Sequence, residues 1–172
     1  MEQKKKETEK LVQMVYAGLF AAMTALLTAT LHIPVGNGYI HCGDAVIYLS
    51  AAVLPLPYAV GASAIGGMMA DLLSGYPMYA LPTFLIKGLL ALTFSLIGGG
   101  RKLNLRRVMG LAACAIVTVV GYWITAVLLY GGWAAQFVGT VPGNLVQAAG
   151  SGIVYSVVAL AMERAHHDLH AL

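Results

Sequence analysis

From Leu11 to Gly100, ninety residues, the chain carries only three charged side chains, Asp44, Asp71 and Lys87, and from Val108 to Met162 it carries none. Soluble domains are about one quarter charged, whereas this chain of 172 residues is 10% charged and has a mean hydropathy of +0.79. Such runs fold only where lipid takes the place of water, and in lipid every backbone polar group must be satisfied within a helix or a closed barrel. The chain reads as an all-α integral membrane protein of one domain. Its first ten residues, M-E-Q-K-K-K-E-T-E-K, form a charged tail with no short apolar core and no small-residue cleavage site. The first apolar helix is therefore expected to stay in the mature protein.

Six helices are expected, over about 11–31, 44–54, 58–73, 81–97, 108–130 and 137–162, followed by a tail at 163–172. Residues 32–43, with Pro34, Gly36, Asn37 and Gly38, read as a loop. Pro55 and Pro57 split the long run 44–73, because each removes a backbone donor and disfavours helix in the residue before it. In the first helix Ala17, Ala21, Ala25 and Ala29 recur every fourth position beside Gly18 and Ala22, giving a flat face for close helix packing, either internal or with a partner.

The basic residues fix an expected topology, since Lys and Arg collect on the cytoplasmic side. Lys4, Lys5, Lys6 and Lys10 lie before the first helix, Arg101, Lys102, Arg106 and Arg107 between the fourth and fifth, and Arg164 after the last. Six spans place all nine in the cytoplasm, with both termini inside, whereas five spans would put the R-K-L-N-L-R-R segment outside. The loops after helices 1, 3 and 5 then face outward with His32, Asn37, Tyr39, His41, Asp44, Asp71, Tyr76, Tyr79, Trp133 and Gln136.

Lys87 lies about two turns into the fourth helix from that outer side. An ammonium inside a span costs at least about 2.5 kcal/mol and faces the bundle interior or a wet cavity with a partner. Lys87, Asp71, Asp44, His41, Asn144 and Gln147 are thus candidates to line a polar cavity, with Tyr76, Tyr79 and Trp133 as flat walls. The competing readings are an ion pair of Lys87 with Asp71 and an interfacial aromatic belt. Cys42 and Cys114 have no metal-like or CxxC spacing and read as small apolar fillers. His166, His167 and His170 read as part of a solvated tail, and no metal or cofactor is expected.

Six short helices, the alanine ladder, A-D-L-L-S-G-Y-P leading into a helix with I-K-G, and P-G-N-L-V-Q opening the last helix resemble the S component of an energy-coupling factor (ECF) vitamin transporter. The resemblance covers nearly the whole chain and is nearest to the riboflavin-transporter-like branch. Members of that branch often carry P-x-N-x-x-K, matched here by Pro142 and Asn144, with Gln147 in place of lysine. That departure leaves small heterocycles other than riboflavin itself open; riboflavin-like flavins, pyridoxine, a hydroxymethylpyrimidine, the acyclic pantothenate and a queuosine precursor all fit an aromatic pocket with one cation and two amides. The resemblance implies an ABC-type importer's binding subunit in a prokaryotic cell membrane, capturing its vitamin from outside. It further implies docking through Ala17, Ala21 and Ala25 on a membrane scaffold (T) subunit driven by two ATPase (A) subunits, with no nucleic acid involved. In agreement, the chain has no G-x-x-x-x-G-K-[ST] phosphate loop. A stand-alone secondary carrier and a small membrane enzyme are the alternatives.

Overall fold

The computed structural model describes residues 1–36, 38–98 and 104–169, with side chains as far as Ala165. Asn37, Arg101 and Lys102 fall outside the described residues, as does His170; of His166 and His167 the backbone alone is described. The chain is mostly helical: α1 Glu2–Thr30, a hairpin of β1 His32–Val35 and β2 Gly38–His41, then α2 Asp44–Val53, α3 Leu56–Leu73, α4 Pro77–Thr93, α5 Leu105–Tyr130 and α6 Trp133–Leu169. Five of these are long and apolar enough to cross a membrane, and α2 is a shorter apolar helix. At about 1.5 Å per residue α2 reaches about 15 Å, half the roughly 30 Å hydrocarbon layer.

The breaks follow from proline and glycine. Leu54, the residue before Pro55, is extended, and Pro55 and Pro57 then flank the first turn of α3, where their missing N–H groups cost nothing. Gly75 (φ 82°) turns the chain before Pro77 opens α4, and Gly131 and Gly132, at φ 71° and 73°, make the α5–α6 turn in a conformation that side chains resist. α4 therefore begins four residues before the expected 81, and α6 at Trp133 rather than near 137, with Pro142 inside it. The charged tail is not separate: α1 runs through it from Glu2, helped by a Glu2–Lys6 pair at 2.9 Å.

One expectation is corrected. Residues 32–41 are not a plain loop and the fold is not wholly α, because β1 and β2 pair antiparallel, His32 opposite His41 and Pro34 opposite Tyr39. Ile33, Val35, Tyr39 and Ile40 are strand formers, and Gly36 at φ 57° turns the chain between them. The cluster of Pro, Gly and Asn at the turn had masked two strands of only four residues each.

Deep in the bundle Ile47, Tyr48, Ala59, Leu90, Phe94, Cys114 and Tyr155 form the apolar core, with Tyr48, Phe94 and Tyr155 ring to ring at 5.1–5.7 Å. Close approach of helices rests on glycine. A Cβ at Gly66 would meet the Ala21 carbonyl of α1 at 2.7 Å, and one at Gly67 would meet Lys87 Cγ of α4 at 2.6 Å. The alanine ladder thus turns inward: Ala25 is buried, Ala17 and Ala21 are half-buried, and α3 covers them. The small residues of α1 left open are Gly18 and Ala22.

Phe94–Gly98 continues α4 as a π-helix. Arg106 closes its end by donating to the Leu96 and Ile97 carbonyls at 2.9 and 2.8 Å. Next to it Arg107 is buried against Glu163 at 3.2 Å and over the Tyr155 ring. These cations lie at the end of the bundle opposite the hairpin.

Candidate functional site

At the hairpin end, α1, β1, β2, α3, α4, α5 and α6 enclose one cavity holding about 710 Å³ of empty space, its mouth included. Thr24 and Thr28 of α1, Tyr39 and His41 of β2, Gly67 and Asp71 of α3, and Tyr79, Thr83 and Lys87 of α4 line one side. Tyr122 of α5 and Thr140, Asn144 and Gln147 of α6 line the other. Six of the nine expected pocket residues meet there: His41, Asp71, Tyr79, Lys87, Asn144 and Gln147.

Lys87 does not pair with Asp71. Its ammonium lies 2.6 Å from Asp44 Oδ1 and 5.2 Å from the centre of the Tyr122 ring, and it is 2% exposed. Asp44, fully buried at the first residue of α2, also accepts from Gln147 Nε2 at 3.0 Å on its other oxygen. Gln147 in turn accepts the His41 backbone N–H at 3.3 Å through Oε1, so both ends of this amide are engaged. Asp44 sits behind the cavity wall and holds two of its members in place.

His41 is buried, and its Nδ1 accepts the Gly43 N–H at 3.0 Å and lies 3.5 Å from the Thr28 hydroxyl. Burial lowers its pKa to about 3, opposed by Asp44 and reinforced by Lys87 and His32. The imidazole is therefore neutral, with Nδ1 as acceptor. Tyr39 on the same strand donates its phenol to Asp71 Oδ1 at 2.5 Å. Burial and the neighbouring carboxylate raise its pKa, so it stays a donor. Asp71 Oδ2, also buried, has no hydrogen-bond partner among the described residues.

Two aromatic expectations fall elsewhere. Tyr76 packs at a tilt against Tyr39, ring centres 5.0 Å apart, and does not line the cavity. Trp133 is 62% exposed, packs edge-on against Trp123 at 5.3 Å and accepts the Trp123 indole N–H through its carbonyl. It lies with Phe137 in an aromatic cluster outside the cavity wall. Conversely, Thr24, Thr28, Thr83 and Tyr122 line the cavity without having been singled out. The i, i+4 spacing of Thr24 and Thr28 on one face of α1 was the available signal. Tyr122 gave none, being one aromatic in a long apolar run.

A family model described as "ECF-type riboflavin transporter, S component" matches residues 8–164. An uncharacterized protein in the gap 3′ region of Pyrococcus woesei is 35% identical over 137 residues, covering 78% of this chain and 88% of that protein. A solved structure, reported as the structure and mechanism of the S component of a bacterial ECF transporter, superposes with a TM-score of 0.68 at 19% identity. It covers 95% of this chain and 98% of its own, a likeness of fold. With its apolar helices this makes the chain a multi-pass membrane protein, and it belongs to the S-component family of ECF-type riboflavin transporters, substrate-specific transport subunits rather than enzymes.

Proposed function

We propose that this chain binds a small vitamin or vitamin-like heterocycle in the hairpin-end cavity and delivers it to an ATP-driven energising module. The observation that carries this reading is the cavity itself. It is walled by seven elements, is lined by several hydroxyls, amides and aromatic rings, and sits in a chain of the S-component family. His41, Asp71, Tyr79, Lys87, Asn144 and Gln147 form its working surface, with Asp44 as the buried anchor.

In this reading the six helices alternate in direction, α2 reaching only part of the way across the membrane, and both termini are cytoplasmic. Lys4, Lys5, Lys6, Lys10, Arg106 and Arg107 then share the inner side, as the positive-inside rule requires. The cavity opens outward. The partners are a membrane scaffold subunit and two ATPases, in a prokaryotic plasma membrane, because the chain has no phosphate loop of its own. Docking uses the lipid side of α1 around Gly18 and Ala22, where small residues admit another helix.

The test is native mass spectrometry of the detergent-purified protein for a retained small molecule, followed by uptake in cells with and without a co-expressed energising module. A retained vitamin-sized compound, taken up only with the module, supports the reading. Uptake without any ATPase would establish a secondary carrier instead, and a folded protein that binds nothing would overturn it.

A further inference from the structure

The charges inside the bundle do not balance. Between Leu11 and Gly100 the charged side chains are Asp44, Asp71 and Lys87, and Val108 to Met162 adds none. All three are buried, at 0%, 4% and 2% exposure. Lys87 is committed to Asp44 at 2.6 Å, and His41 is neutral. The Asp71 carboxylate is left as one negative charge without a counter-charge, in a layer where such a charge is costly.

Its position adds to the cost. Asp71 lies in the last turn of α3, which ends at Leu73, so it sits at the negative end of the helix dipole, where a carboxylate is disfavoured. Tyr39 donates to Oδ1 at 2.5 Å, while Oδ2, also buried, has no hydrogen-bond partner among the described residues. Ser74, three residues on and still helical at φ −87° and ψ −1°, shares the face of Asp71. Its Oγ is buried as well and makes no hydrogen bond among the described residues, although it lies close to the Tyr39 phenol. The Thr83 hydroxyl of α4, bonded to Tyr122 at 3.1 Å, also approaches the carboxylate.

A hard cation takes oxygen ligands of this kind, carboxylate and hydroxyl together. His, Cys, Asp and Glu form no cluster of three among the described residues, so the donor set is not that of a transition metal. One uncompensated carboxylate calls for one positive charge. We infer that a monovalent alkali cation, sodium or potassium, binds at the C-terminal end of α3 between Asp71 Oδ2 and Ser74 Oγ. It neutralises the bundle interior and steadies the carboxylate that fastens Tyr39, and with it the hairpin. The site is independent of what the cavity captures, so either reading can fail without the other.

The experiment is thermal unfolding of the purified full chain in detergent, at one pH and one ionic strength, in sodium, potassium or choline chloride. The expected result is a midpoint higher by roughly 3 °C or more in sodium or potassium than in choline. The larger shift names the ion, and the difference is expected to vanish in Asp71→Asn. Equal midpoints in the three salts, or a difference that persists in Asp71→Asn, overturn the inference. Should Asp71→Asn fail to fold, Ser74→Ala keeps the carboxylate and removes one of the two oxygens. It is expected to raise the cation concentration that gives half the shift at least tenfold, and an unchanged concentration overturns the inference.

Discussion

Lys87 and Asp44 lie 43 residues apart in the chain and 2.6 Å apart in the fold, an ion pair sealed from solvent that joins the middle of α4 to the start of α2. The pair makes Lys87 a structural element as well as a wall of the cavity. Removing one partner of a buried pair costs about 3–5 kcal/mol, because the other charge is left uncompensated. Lys87→Met is therefore expected to lower thermal stability sharply, and Lys87→Met with Asp44→Asn to recover much of the loss. A single variant as stable as the native protein would refute the coupling.

Gly67 exists to make room for that lysine. A methyl group there would sit 2.6 Å from Lys87 Cγ and 3.1 Å from Thr83 Cγ2. Gly67→Ala should cost about 1–3 kcal/mol by overpacking and should weaken ligand binding by moving Lys87. Unfolding in detergent and a binding titration would check both, and an unaffected protein would mean that α3 and α4 separate freely.

The neutral His41 imposes a pH dependence. Its folded pKa of about 3 lies below the ordinary 6.5, so between those values the unfolded chain binds more protons and stability rises with pH. The contribution is full above pH 6.5 and is lost as pH falls toward 3, at a slope of up to about 1.4 kcal/mol per unit. Asp44, Lys87 and His32 are the charged or titratable neighbours that act on it. Stability measured from pH 7 to pH 4.5 should decline in the native protein and decline less in His41→Asn. Parallel curves would assign the slope to other groups.

The proposed sidedness is testable with the native cysteines. Cys42 is exposed beside the hairpin and Cys114 is buried. A membrane-impermeant maleimide should label Cys42 in intact cells. With Cys42 replaced by serine, Leu105→Cys at the opposite end should react only after permeabilisation. The reverse pattern would invert the topology.

Docking through α1 predicts a separation of binding from transport. Ala22→Trp places bulk on the open face without touching α3, so uptake should fall at least tenfold while ligand affinity holds. Normal uptake would direct attention to another helix.

The sequence made the helices legible because charge exclusion and proline placement act locally. Lipid admits no charge without a reason, and Pro55 and Pro57 interrupt α2–α3 whatever surrounds them. The same logic found six cavity residues, since polar groups in apolar runs are rare enough to be noticed. It could not choose the partner of Lys87: Asp71 and Asp44 both lie on the expected outer side, and only the packing of α2 against α4 decides between them. Nor could it tell which side of the alanine ladder α3 would cover, because a flat face suits an internal helix and an external one equally. The hairpin was hidden for a different reason, as two strands of four residues offer too little alternation to outweigh their turn.

That hairpin is the one wall of the cavity that is not a helix of the bundle. Among the described residues it is tied to the bundle by Tyr39 to Asp71, the His41 N–H to Gln147, Ser151 to the His41 carbonyl, and Thr28 to His41 Nδ1. A two-stranded hairpin is marginal by itself, so these ties decide how often it lifts. Under the function proposed above, release of a captured molecule is expected to depend on this hairpin more than on the depth of the bundle. Loosening any of these bonds should shorten the time a bound molecule stays by accelerating release, while capture stays nearly as fast as before.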